Sequence, residues 1–138
     1  YSTQAVYQFC APLERRRIVA IKGVGGDKVP LISPPTRTAA YHSPLYKLGV
    51  DRCKQIIYDR LNIGRIGPGY VHIPESLSDE FWRQLTSESP ETVVEHGKQV
   101  TRWRQHRARN EALDCAVYAL CAYELYCHPV PKKLVKRK

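Results

Sequence analysis

RNEALDCAVYALCAYELY, residues 109–126, is the stretch of this sequence that decides the fold. Its apolar side chains recur at i, i+4, i+7 and i+8, which is the spacing of one face of a helix. They are Leu113, Val117, Leu120 and Cys121. The pattern predicts a helix from about Asn110 to Tyr126 that packs this face against a sheet.

Two acids stand just inside the start of the predicted helix. Glu111 and Asp114 are i, i+3 neighbours, so both can point toward one spot. Asp114 follows Leu113 directly and therefore lies at the margin of the buried face, where a carboxylate is costly unless it is paired or bound to a cation. Mg²⁺ and Mn²⁺ take oxygen ligands of this kind. The alternative is an ordinary helix start, with acids favoured by the macrodipole and paired with Arg107 or Arg109.

Upstream of this helix, two apolar runs predict core strands. RRIVAIKG (16–23) contains an unbroken apolar run, which predicts a strand buried on both faces. YKLGVD (46–51) predicts a second strand that leads directly into a helix over 52–62. Asp51 falls at that junction, where it is either the N-cap of the helix or an acid at the carboxyl end of a parallel strand, the place where α/β sheets carry their sites.

The remaining segments predict further short elements around this α/β sandwich. They are a helix in STQAVYQFCA (2–11), an edge strand at VPLIS (29–33), a turn and short strand in IGPGYVHIP (66–74), a helix capped by Ser78 in 78–88, and a hairpin over 91–105 turning at Gly97-Lys98. Residues 132–138, KKLVKRK, form a basic tail.

Composition limits the class of protein. The chain has 138 residues, 43% of them hydrophobic, which suits one domain with a real core. A net charge of +9 favours a polyanionic partner, nucleic acid first. No apolar run approaches the roughly 20 residues that span a bilayer. The five cysteines have neither disulfide-framework nor zinc spacing, so a reducing cytosol is expected, and no P-loop is present.

Several runs together resemble the large terminase subunit of lambda-like tailed phages, specifically its C-terminal nuclease domain. They occur in the family's order over nearly the whole chain: TQAVYQFC (3–10), AIKG (20–23), GVDRCKQIIYDRL (49–61), PGYVHIP (68–74), QLTSE (84–88) and RNEALDCAVYAL (109–120). Each run alone is only weakly specific for the family, but the six runs in order are fairly specific.

This resemblance implies an RNase H-like nuclease fold, with a mixed central sheet flanked by helices, over residues 1–128, followed by a basic C-terminal tail over 129–138. It implies an endonuclease that cuts concatemeric double-stranded viral DNA at packaging, in the host bacterial cytoplasm and without a membrane. The partners it implies are an upstream ATPase motor of the same polypeptide, a small terminase subunit, and a portal protein contacted through the C-terminal region.

For the site, the resemblance implies two-metal phosphodiester hydrolysis with Mg²⁺ or Mn²⁺. Asp114, Glu111 and Asp51 match the family's acids and are the expected catalytic and metal-binding residues. The family's first strand ends in an acid within a D-x-G motif, before the position that matches Tyr1. This sequence does not include that acid, so the chain is expected to lack its first strand.

The expected DNA-binding cations are Lys22, Lys54, Arg60, Arg107 and Arg109. A non-catalytic module with the same fold, which docks on DNA or on the portal, is the alternative function.

Overall fold

The computed structural model describes residues 2–127. Its elements in chain order are α1 (Thr3–Cys10), a 3-10 helix (Ala11–Arg16), β1 (Ala20–Val24), β2 (Thr36–Arg37), β3 (Pro44–Gly49), α2 (Val50–Leu61), α3 (Asp79–Leu85), β4 (Glu88–Glu95), β5 (Lys98–Gln105) and α4 (Glu111–Cys127). Among these residues no helix is both long enough and apolar enough to cross a bilayer.

β1, β3 and β2 form a mixed sheet in that order. β1 and β3 are parallel, with Ala20 opposite Leu45 at one end and Val24 opposite Gly49 at the other. β2 is antiparallel to β3. Because parallel strands end at the same edge of a sheet, the loop after β1 and the start of α2 meet there. The mixed α/β class is confirmed, and it is consistent with an RNase H-like domain.

β4 and β5 form a separate antiparallel hairpin, as predicted. They pair over their full length, from Glu88 with Gln105 to Glu95 with Lys98. The turn is therefore His96-Gly97 and not Gly97-Lys98, because Lys98 is already paired. Both turn residues have positive φ, 50° and 75°, the conformation that two-residue hairpin loops require.

The core lies between the sheet, α2 and α4. All four residues of the predicted stripe on α4 are buried, as expected. Three of them, Val117, Leu120 and Cys121, form one cluster with Leu48 of β3 and Cys53 of α2. The helix predicted from about Asn110 to Tyr126 thus has the buried face that its spacing indicates.

Two strand predictions are wrong. β1 begins at Ala20, so Ile18 precedes the strand and is 39% exposed. The strand is also not buried on both faces, since Lys22 and Gly23 are exposed and only Ala20 is buried. The segment 71–74 contains no strand and only lines two surface cavities, so its apolar residues reflect packing against helices.

The short elements agree better with the sequence. Ser78 caps α3, accepting a hydrogen bond from the Phe81 N–H at 3.3 Å, and Ser2 does the same for α1. The expected edge strand at VPLIS is reduced to one bridge between Ile32 and Leu48. The expected basic tail lies outside the described residues.

We expect Leu48→Ala to lower the free energy of unfolding by about 2–5 kcal/mol, because it leaves a cavity at a fully buried position. Val94→Ala, at a position 71% exposed, should change it by less than about 0.5 kcal/mol. Urea denaturation of both variants measures the difference. Equal losses would mean that the assigned core is wrong.

Candidate active site

Asp51 lies at the edge of the sheet where both parallel strands end. The loop that follows β1 turns over the first turn of α2, and the backbone N–H of Gly26 donates a hydrogen bond to Asp51 Oδ2 at 2.7 Å. Gly26 has a φ of 115°, which a residue with a side chain adopts only with strain. This glycine loop therefore holds the Asp51 carboxylate at the edge where α/β sheets place ligand sites.

Of the two roles considered for Asp51, that of N-cap of its helix is wrong. The N-cap is Gly49, which has extended backbone angles and provides no side-chain cap. Asp51 lies inside the first turn, and its carboxylate is bonded across the loop to Gly26. The Glu95 carboxylate raises the pKa of Arg102, and the charge of Asp51 adds to that effect.

Asp114 is a half-buried carboxylate in the first turn of α4. Burial raises its pKa; the charge of Lys54 opposes this rise, while Glu88 and Glu111 add to it. Within residues 2–127, no hydrogen bond or ion pair reaches the Asp114 side chain, and none of the arginines neutralises it. A partly desolvated acid among other acids is typical of a functional site rather than of a structural one.

A buried ion pair stands beside Asp114. Lys54 Nζ lies 2.5 Å from Glu88 Oε2, and the two side chains are only 11% and 6% exposed. The Asn110 side-chain amide donates to the other Glu88 oxygen at 3.0 Å. The network thus joins α2, the first residue of β4 and the residue that precedes α4.

Two aromatic residues enclose this network. The Tyr58 hydroxyl donates to the Glu88 backbone carbonyl, and the Tyr58 ring meets Trp103 edge-on with centroids 5.1 Å apart. Lys54 Nζ lies 5.9 Å from the centroid of the Trp103 ring. Sequence patterns did not indicate that Glu88, Asn110, Tyr58 and Trp103 belong to the site. One signal was present, because Lys54 and Tyr58 share a helix face at i, i+4.

Glu111 is exposed and has the character of an ordinary helix-start acid. A hydrogen bond from its own backbone N–H is the main cause of the lowered pKa of Glu111, and Arg109 lowers this pKa further. Arg109 Nε lies 3.4 Å from Glu111 Oε1. Glu111 therefore has the salt-bridged arrangement that was the alternative to a metal site. Its partner is Arg109 rather than Arg107.

The three predicted acids do not form one ligand cluster. Residues 2–127 contain no group of three or more His, Cys, Asp or Glu side chains that could hold a metal ion. Asp51 is bonded to Gly26, Glu111 is paired with Arg109, and only Asp114 is unpaired among them. The chemistry of Asp51 and Asp114 suits a hard divalent cation, and the metal-binding roles of the three acids stay predictions.

The five predicted DNA-binding cations occupy different environments. Lys22 is exposed and lies opposite the exposed Lys47 in the sheet register. Arg107 and Arg109 are exposed before α4, and Arg60 is half-buried at an apolar cavity of about 370 Å³. Lys54, in contrast, is buried against Glu88 and cannot reach a DNA phosphate while that pair is intact.

Comparison with known proteins connects this geometry to a family. The family model described as "Terminase large subunit gpA, endonuclease domain" matches residues 1–131. The chain belongs to this family. The terminase large subunit of Escherichia phage lambda is 34% identical over 117 residues, which cover 79% of this chain and 18% of the lambda protein. That of Enterobacteria phage P21 is 30% identical over 114 residues, with 77% and 18% covered.

This chain thus spans about a fifth of the length of these two relatives. No solved structure matches it. The family assignment confirms the resemblance drawn from the ordered sequence runs.

We expect Glu88→Gln to lower the free energy of unfolding by about 3–5 kcal/mol, because it leaves the Lys54 ammonium buried without its counter-charge. Replacing both partners, with Lys54→Met and Glu88→Leu, should restore most of the loss. Glu91→Gln breaks an exposed pair with Arg104 on the same hairpin and should cost less than about 1 kcal/mol. A similar cost for both single variants in urea denaturation would contradict the buried pair.

We expect Asp114→Asn to stabilise the domain at pH 7. Burial raises the pKa of Asp114 above its ordinary value of 3.8, so the folded state binds the proton more tightly than the unfolded chain does. Ionisation therefore penalises the folded state once the pH rises through the folded pKa, and the penalty is absent below 3.8.

Urea denaturation should accordingly show a gain at pH 7 that disappears near about pH 3. Asp59→Asn, at an exposed position on α2, is the matched control and should give no such pH-dependent gain. A loss of stability from Asp114→Asn at pH 7 would show that the carboxylate has a stabilising partner.

Proposed function

We propose that this domain is a metal-dependent DNA endonuclease of a phage DNA-packaging terminase, cutting concatemeric double-stranded DNA by phosphodiester hydrolysis. The observation that carries the proposal is the unpaired, half-buried Asp114 carboxylate beside the Lys54–Glu88 pair. Membership of the gpA endonuclease family supports the reaction class. The small terminase subunit, the portal protein and an ATPase motor are the partners we propose for the complete enzyme.

Asp114 and Asp51 are the residues that would hold a divalent cation in this domain. Mg²⁺ or Mn²⁺ in a two-metal arrangement would supply an activated water and stabilise the leaving 3′ oxygen. The chain's own contribution is positioning. The glycine loop orients Asp51 through the Gly26 N–H, and the Lys54–Glu88–Asn110 network fixes the segment that leads into α4.

Exposed lysines and arginines would neutralise the DNA backbone in this mechanism. Phosphate contacts of this kind position the duplex without reading its sequence. The net charge of +9 is of the right sign for that role. Cleavage is therefore expected at many sequences unless a partner subunit selects the site.

A second function is favoured by one specific observation. Because residues 2–127 have no three-residue ligand cluster, the domain is also suited to dock on DNA or on a portal without hydrolysing the phosphodiester bond. Such a module would bind DNA in a salt-dependent manner and leave the strands intact.

A plasmid-nicking assay of the terminase large subunit that carries this domain distinguishes the two functions. Conversion of supercoiled to open-circular DNA should require Mg²⁺ or Mn²⁺. Asp114→Asn should slow nicking by roughly 100-fold or more, since even indirect metal contacts are worth 10–100-fold. Asp59→Asn is the matched control and should nick at the parental rate.

Nicking that proceeds unchanged in Asp114→Asn would overturn the catalytic assignment. Salt-dependent DNA binding without nicking at any metal concentration would identify the docking module instead.

A further inference from the structure

A small notch lies between α3 and the segment that precedes α4. It has a volume of about 230 Å³. It is lined by Glu80, Arg83, Gln84, Arg107, Ala108 and Arg109. Three guanidinium groups and a single carboxylate therefore converge on one concave surface, which gives the notch a net positive charge. Arg83 was not among the cations predicted from the sequence to bind DNA.

Two of these arginines have no partner of their own. Within residues 2–127, neither the Arg83 nor the Arg107 side chain makes a hydrogen bond or an ion pair. Arg109 lies 3.9 Å from Glu80 and 3.4 Å from Glu111, and it is 64% exposed. Exposed contacts of that length are weak, so an incoming anion can replace them at small cost.

The notch has a fixed frame although its arginines are exposed. The Ala112 N–H donates to Gln84 Oε1 at 3.3 Å, which ties α3 to the first turn of α4. The His106 N–H donates to the Ser87 carbonyl at 2.8 Å, which ties down the beginning of the arginine segment. The backbone that carries Arg107 and Arg109 is thus held at both ends.

The notch is also connected along the chain to the candidate active site. Arg109 directly precedes Asn110, whose amide donates to Glu88. Glu88 in turn acts electrostatically on Asp114. Asp114 lies about 4.5 Å further along the α4 axis than Glu111, which is three residues at 1.5 Å each. The notch therefore lies at the N-terminal end of the helix that carries Asp114.

We propose that this arginine notch binds a backbone phosphate of the DNA that the domain cleaves. Guanidinium groups bind phosphate in a planar, bidentate manner, and three of them around one cavity suit a phosphodiester group. Arg83 and Arg107 are then positioning residues that hold the strand beside Asp114 and read no base. The inference rests on the proposed endonuclease function for the identity of the bound polyanion.

The test is DNA binding by the double variant Arg83→Ala/Arg107→Ala in the terminase large subunit, measured with a short duplex of mixed sequence over a salt series. Loss of one neutralised phosphate should reduce the slope of log K against log salt by about 0.9. The loss of affinity should be similar for unrelated sequences, because phosphate contacts carry no sequence information.

The matched control is Arg15→Ala/Arg65→Ala, which removes the same charge from exposed positions outside the notch. It should leave the slope near the parental value. Equal slopes for the parent and the notch variant would overturn the proposal. An equal reduction in both double variants would also overturn it, because the effect would then be one of net charge.

A second measurement separates this proposal from the endonuclease function. In the nicking assay the notch variant should show a raised KM with little change in kcat, because its arginines position DNA and do not touch the scissile bond. A parent protein that binds DNA but never nicks it would refute the proposed function, while the salt series would still decide whether the notch binds phosphate.

Discussion

The arrangement of this domain depends on one buried ion pair, Lys54 with Glu88. Removing an ammonium and a carboxylate from water is costly, and the pair is tolerated because Asn110 and Tyr58 provide further hydrogen bonds around Glu88. The ion pair and these hydrogen bonds hold together three segments that are distant in sequence. The site is assembled where α2, the start of β4 and the start of α4 meet.

Asp114 shows how such a site conflicts with stability. Its carboxylate is partly desolvated and has other acids nearby, which raises its pKa and disfavours its charged form. The charge of Lys54 offsets part of that cost, but no hydrogen bond or ion pair within residues 2–127 reaches the Asp114 side chain. Natural sequences retain local conflicts of this kind mainly at functional positions, and this is the physical basis for giving Asp114 more weight than Glu111, whose charge is matched by Arg109.

Sequence reasoning predicted the elements with strong local patterns and failed where long-range packing decides. The α4 stripe and the hairpin were predictable because local residue patterns specify them, although the hairpin turn was placed one residue too late. β1 was placed too early, since an apolar run does not show which residues pair with β3. Glu88 could not be distinguished from other acids, because its burial depends on Lys54, 34 residues away. Asp51 was predicted to be important, but its hydrogen bond to Gly26 depends on the course of a loop.

The hairpin β4–β5 shares no backbone hydrogen bonds with the three-stranded sheet. Its attachment to the rest of the domain is through side chains, chiefly Glu88 at its first residue and Trp103 against Tyr58. We therefore expect the hairpin to open as a unit of its own, so that its amide protons exchange with solvent through partial opening rather than through global unfolding. Because such opening separates Glu88 from Lys54, the free energy of that ion pair determines how rarely the hairpin opens.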